Sequence, residues 1–506
     1  MTQELSCIFS SRAIHKIISD KVCQLRGTDI KAKSARAVVA LSIGTFAGRG
    51  VRFIRSMVLA RILAPDQIGV MAIVMSFSVA FEALTEVGVK QSIIQNKQGA
   101  NTHYLNVAWW MQVIRALCLY GLAVLSAPWI SSFYNNPELL PLMRVAFLAI
   151  ALKGFVSPRA HVLEKEYKFG RAVFLIQGSA VLGAIISIGL ALVMRNVWAL
   201  VIGFVIEMAI LCILSFILVP FMPRFAIDRG SLIELLKYAR GMFGLPVLTA
   251  LSFQAPILIL GKVISEDQLG LYSYAALLAY IPIDLYLRTI APVVLPVFSE
   301  KQNDKDALCR GILRTTQWTG CFIIPLVAFM VCCASELLLL SYGPGYVVMA
   351  VPFAVLCLEI VPQNQAVSLA GVYLAVGQPH LQRRFAVIRA VAIIGFMYPM
   401  AVFFGPVGAT VVIIFSSIIV LFMQVIKARE VISLNLRQYM RSYVPGLLMA
   451  LPIIMTAGLL WVFGVDSLLI ALAVIASVFI VTLAISVLVL NRPGEALQSR
   501  NNLRIS

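Results

Sequence analysis

Long, nearly continuous apolar runs separated by short polar stretches dominate this chain, and most runs are about 20 residues long, enough for an α-helix to cross a bilayer. They predict fourteen spans, near residues 37–60, 69–89, 105–130, 138–156, 172–194, 197–220, 239–261, 269–297, 311–341, 348–368, 385–405, 407–426, 443–464 and 467–490. The runs are unbroken rather than alternating, which excludes a membrane β-barrel and predicts an all-α integral membrane protein. No extramembrane segment after residue 36 is long enough for a separate domain, so the function must be exerted within the bilayer or at its surface.

Composition supports this class. Of 506 residues, 60% are hydrophobic and only 13% charged, and the mean hydropathy is +0.93. A net charge of +18 would suit nucleic acid, but the basic residues are distributed by loop. Most lie in the two tails and the even-numbered connections, such as Lys153, Arg159, Lys165, Lys168 and Arg171 between spans 4 and 5. The odd-numbered connections carry only Arg61, Arg195 and Lys262. The positive-inside rule then puts both termini in the cytoplasm and requires the first segment to cross. No cleaved signal peptide is expected, since the N-terminus lacks an apolar core and a small-residue cleavage site. The nine cysteines have no metal-ligand spacing and read as small core hydrophobes, with no disulfide framework implied.

The chain also matches itself. LARILAPDQIGV (59–70) aligns with LGKVISEDQLGL (260–271), pairing Asp66 with Asp267, Gln67 with Gln268 and Gly69 with Gly270. FYNNPELLPLMRVAFLAI (133–150) resembles SYGPGYVVMAVPFAVLCL (341–358) after corresponding spans. The repeat unit is six helices, an even number, so the copies share one orientation about a pseudo-two-fold along the membrane normal, with a substrate path expected between them. The expected organisation is a cytoplasmic tail (1–36), a first bundle (37–220), a cytoplasmic linker helix (221–238) and a second bundle (239–428). A cytoplasmic loop (429–442), two additional helices (443–490) and a cytoplasmic tail (491–506) complete it. Arg61 and Lys262 are equivalent positions of the repeat and read as snorkelling turn residues.

The candidate chemistry lies in charges placed inside spans. Arg49, Arg52 and Arg55 form one stripe on span 1, where each central arginine costs about 2.5–3.5 kcal/mol and each large aliphatic neighbour returns about 0.3–0.6. Such a helix needs other helices, water or an anion before the stripe; a surface-lying amphipathic anchor is the alternative. Span 2 carries Glu82 and Glu86, which either meet those arginines or hold a proton. Span 8 carries Asp284 and Arg288 at i,i+4, where an intrahelical pair is the simpler reading, and span 3 carries Arg115. Glu207 and Glu359 read as buried helix-packing carboxylates, and Arg144 and Arg389 as snorkelling residues near span ends. Surplus guanidinium suits an anion bound bidentately, above all a phosphate or diphosphate. The tyrosines of span 8 (Tyr272, Tyr274, Tyr280, Tyr286) could stack on sugars, with interfacial anchoring the alternative for Tyr272 and Tyr274. There is no nucleotide-binding loop, no HExxH, no CxxC and no paired nucleophile and base, so no catalytic residue, metal site or cofactor is expected, and transport is left as the function.

The stretches RILAPDQIGVMAI (61–73), TEVGVKQSIIQ (85–95), SPRAHVLEKEYKFGRAVFLIQ (157–177) and GVYLAVGQPHLQRR (371–384) resemble Wzx-type polysaccharide-export flippases. These belong to the multidrug/oligosaccharidyl-lipid/polysaccharide exporter superfamily, and the span number and length resemble its colanic-acid-type branch. The resemblance implies a V-shaped pair of six-helix bundles in the bacterial inner membrane. It implies as substrate an undecaprenyl-diphosphate-linked oligosaccharide, moved from the cytoplasmic to the periplasmic leaflet for exopolysaccharide, capsule or O-antigen assembly. It also implies proton or sodium coupling and work beside a polysaccharide polymerase and export machinery. Arg49, Arg52, Arg55, Arg115 and Arg288 would supply the cationic cavity of such a protein, with Glu82, Glu86 and Asp284 in ion coupling or charge pairing. A multidrug exporter of the same superfamily is the alternative, and it would call for an acidic aromatic pocket for organic cations.

Overall fold

The computed structural model describes residues 30–84, 89–96, 98–166, 169–225, 228, 230, 232–235, 244–463 and 468–491. Among them the regular structure is helical, with no strand. The first half contains α1 (Ile30–Ile62), α2 (Pro65–Leu84), α3 (Thr102–Tyr134), the short pair α4 (Leu139–Ala146) and α5 (Leu148–Phe155), α6 (Phe169–Met194) and α7 (Val197–Leu218). The second half contains α8 (Leu245–Val263), then α9 (Glu266–Ala279), α10 (Ile281–Thr289) and α11 (Ala291–Ser299) in place of one span. It continues with α12 (Lys305–Cys332), α13 (Ala334–Tyr342), α14 (Ala350–Ala375) and α15 (Pro379–Ile432). Helices α16 (Val444–Val462) and α17 (Leu468–Asn491) follow and pack on α12.

Nine described helices are long and apolar enough to cross a membrane, ten if the bent pair α9–α10 counts as one span. Fourteen spans are expected from the sequence, and this count is of the described residues alone. Span 4 is two eight-residue helices, α4 and α5. Helix α15 counts once, yet 54 residues would stretch about 80 Å against a hydrocarbon core of about 30 Å. It turns at Gly405, whose φ of 56° and ψ of −138° suit glycine alone, followed by Pro406, which gives the two spans expected on either side. Span 8, expected whole, is broken because Pro282 removes a backbone donor and crowds the carbonyl of Leu278, bending α9 against α10 by 41°.

Neighbour relations repeat between the halves. Helix α1 packs on α6 and α3 on α5; correspondingly α8 packs on α15 and α12 on α14. Helix α1 is drawn against α6 by Gly44 and Gly48, four residues apart, which seat Val173 and Gln177 where a Cβ would collide. The outside of the molecule is apolar, with Leu125, Trp129, Val193, Ile217 and Phe403 exposed, as a lipid-facing surface requires.

The halves meet through α2, which crosses α9 at the two duplicated glycines. A Cβ on Gly69 would lie 2.1 Å from the Glu266 carbonyl oxygen, and one on Gly270 would lie 1.8 Å from that of Pro65, its counterpart in the repeat. This is the reciprocity a two-fold contact produces. Arg61 and Lys262 extend it: Arg61 donates to the Leu340 carbonyl (2.7 Å) and Lys262 to that of Phe133, each reaching into the opposite half. They therefore cap carbonyls at helix ends across the junction rather than only snorkelling.

The linker departs from expectation. Residues 221–225 are irregular, held by the Arg224 N–H to Asn106 Oδ1 (3.1 Å) and by Trp110 Nε1 to the Arg224 carbonyl (3.3 Å). Pro220 and Pro223 disfavour a helix there; residues 230 and 232–235 are helical, and most of the remainder lies outside the described residues. Of the tails expected at 1–36 and 491–506, residues 1–29 and 492–506 are likewise outside them.

Replacing Gly69 and Gly270 together by alanine should separate the halves and lower stability by about 1–3 kcal/mol, the scale of overpacking. Gly189→Ala, which has open space around it, should be neutral or stabilise by about 0.5–1 kcal/mol. Unfolding midpoints of the purified protein in detergent check both.

Candidate functional site

Helix α1, held against α6 at Gly44 and Gly48, carries its arginine stripe to the junction of the halves. Arg49, Arg52 and Arg55 line a cavity of about 330 Å³ there, together with Phe53, Phe204 and Tyr274. The remaining wall comes from α2, α6, α7, α9 and the start of α10. The arginines thus face neither lipid nor a sealed helix contact. Their side chains keep 26–34% of their exposure.

Two carboxylates from different halves meet four guanidiniums. Arg55 Nη1 donates to Glu207 Oε2 at 2.7 Å, and Arg52 Nη2 stands 3.9 Å from Glu207 Oε1. Glu207 reaches the arginines where Gly183 on α6 lets α7 approach so closely that a Cβ there would lie 2.7 Å from the Glu207 side chain. From the other half, Asp284 Oδ2 takes Arg49 Nε at 2.5 Å, while Arg288 Nε donates to both Asp284 oxygens at 3.2 Å. The i,i+4 pair expected within span 8 therefore exists, and Asp284 is shared beyond it. Four cations against two anions leave a surplus of two positive charges in this cluster beside the cavity.

The other candidates lie elsewhere. Glu82 pairs with Lys153 on α5 rather than with the arginines, and Glu86 is outside the described residues. Arg115 is a half-buried residue of α3, a helix that does not line the cavity. Among the tyrosines of span 8, Tyr274 lines the cavity wall and stacks on Tyr346 at 6.2 Å, whereas Tyr272 is fully buried and Tyr286 bonds Ser368 at 2.5 Å. Neither Tyr272 nor Tyr274 is an interfacial anchor. Glu207, read from sequence as a packing residue, is the partner the stripe uses. Its sequence signal was weak: a single carboxylate amid apolar residues, with the glycine that admits it 24 positions away on another helix.

A second ion pair lies inside the other half. Glu359 is 1% exposed; its Oε1 accepts from Arg389 Nη2 at 3.0 Å and from Ser417 Oγ at 2.9 Å. Arg389 also donates to Gln363 Oε1 and lies 5.2 Å from the Phe253 ring centre. Arg389 does not snorkel, then; its side chain is only 11% exposed and is committed to a buried pair. Arg389→Ala should destabilise the protein by about 3–5 kcal/mol by stranding that carboxylate, and adding Glu359→Gln should recover part of the loss. Unfolding in detergent of the single and double variants measures it.

Among the described residues no cluster of His, Cys, Asp and Glu could hold a metal ion. What the cavity offers is open space, a cationic wall and aromatic side chains, which suits holding an anionic headgroup.

Comparison with known proteins bears on the fold and the family. The chain is 24% identical over 389 residues to the succinoglycan biosynthesis transport protein ExoT of Rhizobium meliloti (strain 1021), covering 76% of each chain. It is 21% identical over 336 residues to the lipopolysaccharide biosynthesis protein WzxC of Escherichia coli (strain K12), covering 65% of each. Among solved structures, the lipid II flippase MurJ in an inward closed conformation superimposes with a TM-score of 0.70 at 15% identity, over 88% of this chain and 98% of that one, and so shares its fold. Residues 58–351 match the family described as polysaccharide biosynthesis protein, and this multi-pass membrane protein belongs to that family.

Proposed function

We propose that the protein is a flippase that carries undecaprenyl-diphosphate-linked oligosaccharide units from the cytoplasmic to the periplasmic leaflet of the bacterial inner membrane for polysaccharide assembly. The observation that carries this reading is the surplus of two positive charges in the cluster beside a cavity between two like-oriented halves. A diphosphate diester bears one negative charge on each phosphate, so it balances that surplus, and paired guanidiniums match phosphate oxygens in bidentate geometry. The polyprenyl tail stays in lipid, the sugars occupy the space beside Tyr274 and Phe204, and rocking of the halves changes the leaflet to which the site opens. Fourteen crossings with both termini cytoplasmic complete the topology, with a polysaccharide polymerase and export machinery downstream.

At about 330 Å³ the cavity is at the small end of ligand sites and accommodates the diphosphate with little more. The halves must therefore separate to admit an oligosaccharide. A proton or sodium gradient drives the return, with Glu82 and Glu86 available to couple it. The protein acts as a carrier and not as an enzyme. An organic cation, the cargo of a multidrug exporter, would be repelled by the same wall.

Replacing Arg49 and Arg52 by alanine should reduce export to background while leaving the amount and the monodispersity of the purified protein unchanged, and lysine at both positions should restore only a small fraction. Export is measured as surface polysaccharide in a deletion strain, alongside lipid-linked oligosaccharide accumulating in the inner leaflet. Wild-type export by the alanine double variant overturns the reading.

A further inference from the structure

Asp284 occupies the guanidiniums that an anionic headgroup would need. Its carboxylate meets Arg49 Nε at 2.5 Å across the junction and Arg288 Nε at 3.2 Å on its own helix. Glu207, by contrast, ties α7 to α1 inside the first half. The Arg49–Asp284 bond thus joins the halves through the same atoms that would bind cargo.

Its place in the fold gives it leverage. Arg49 precedes the end of α1 by thirteen residues, about 20 Å along the helix, so the bond lies far from the Gly69–Gly270 crossing. At the crossing end the halves are held by backbone contacts and by Arg61 and Lys262. At the Asp284 end, an ion pair takes that role. Asp284 sits on the nine-residue α10, set off from α9 by the 41° bend at Pro282 and followed by Pro292, so α10 can shift without disturbing the crossing. Both partners are 27% exposed, so water can take over either charge during an exchange, unlike the 1% exposed Glu359. In the register that pairs Gly69 with Gly270, Asp284 falls on Ala83; the repeat folds in the first half without a carboxylate there.

Building on the flippase reading, we propose that Asp284 is an internal stand-in for the diphosphate. It neutralises Arg49 and Arg288 and holds the halves together when no cargo is bound, and the entering diphosphate displaces it and frees them. Binding and opening are then one exchange of anions on the same guanidiniums, and an uncharged or cationic molecule cannot perform it. Asp284 acts here as a specificity-determining residue, because only a ligand that outcompetes a carboxylate opens the path.

The test uses the full chain in proteoliposomes, with native cysteines replaced and one cysteine placed at the cavity wall by Ser273→Cys. Inorganic pyrophosphate is the probe, and a membrane-impermeant maleimide reports access. With Asp284→Asn added, pyrophosphate should bind about tenfold tighter, a difference of about 1.4 kcal/mol. Labelling of the cysteine without pyrophosphate should rise to the rate otherwise reached only with it. The exchange Arg49→Asp with Asp284→Arg should restore slow labelling, because the bond is remade in reverse. Unchanged or weaker binding by Asp284→Asn, or slow labelling despite it, overturns the inference while the guanidinium site stands. Failure of the Ser273→Cys protein with Asp284 intact to bind pyrophosphate at all removes the flippase reading and this inference together.

Discussion

Guanidinium groups cannot be left facing hydrocarbon, and the architecture around α1 answers that constraint. Three arginines on one side of a membrane helix cost more than its leucines and valines return, so the stripe requires counter-charge and water. Glu207 supplies the first from α7 and Asp284 from α10, while the cavity supplies the second. The two carboxylates together leave two of the four guanidiniums uncompensated, which keeps the site cationic. The remaining arrangement at the junction follows from placing those partners within reach.

Small residues do that placing. Gly44 and Gly48 fix which side of α1 meets α6, and Gly183 admits Glu207. Gly69 and Gly270 let α2 and α9 cross with backbone against backbone. In lipid, apolar side chains gain little by leaving one neighbour for another, so close backbone approach is what brings helices together. Proline acts in the opposite sense: Pro282 breaks the helix that would otherwise carry Asp284 straight, and the bend turns it towards Arg49. The two ion-pair systems then divide by hydration. The Glu359–Arg389 pair is sealed within one half and serves cohesion, whereas the Arg49–Asp284 pair is wet, spans the halves, and can exchange partners.

The sequence alone determined that the protein is helical and membrane-embedded, that it contains a parallel duplication, and that Arg49, Arg52 and Arg55 share one side of a helix. Those properties depend on local periodicity, run length and matching segments, which are written along the chain. Tertiary structure decided which charges meet. Glu82 lies on the next helix in sequence yet pairs with Lys153, while Glu207 and Asp284, about 150 and 235 residues from the stripe, become its partners because helix packing is non-local. It also decided that Arg61 and Lys262 reach across the repeat, that Arg389 is buried, and that span 8 is bent. Each depends on where a neighbouring helix surface lies, and periodicity within one helix holds no record of that.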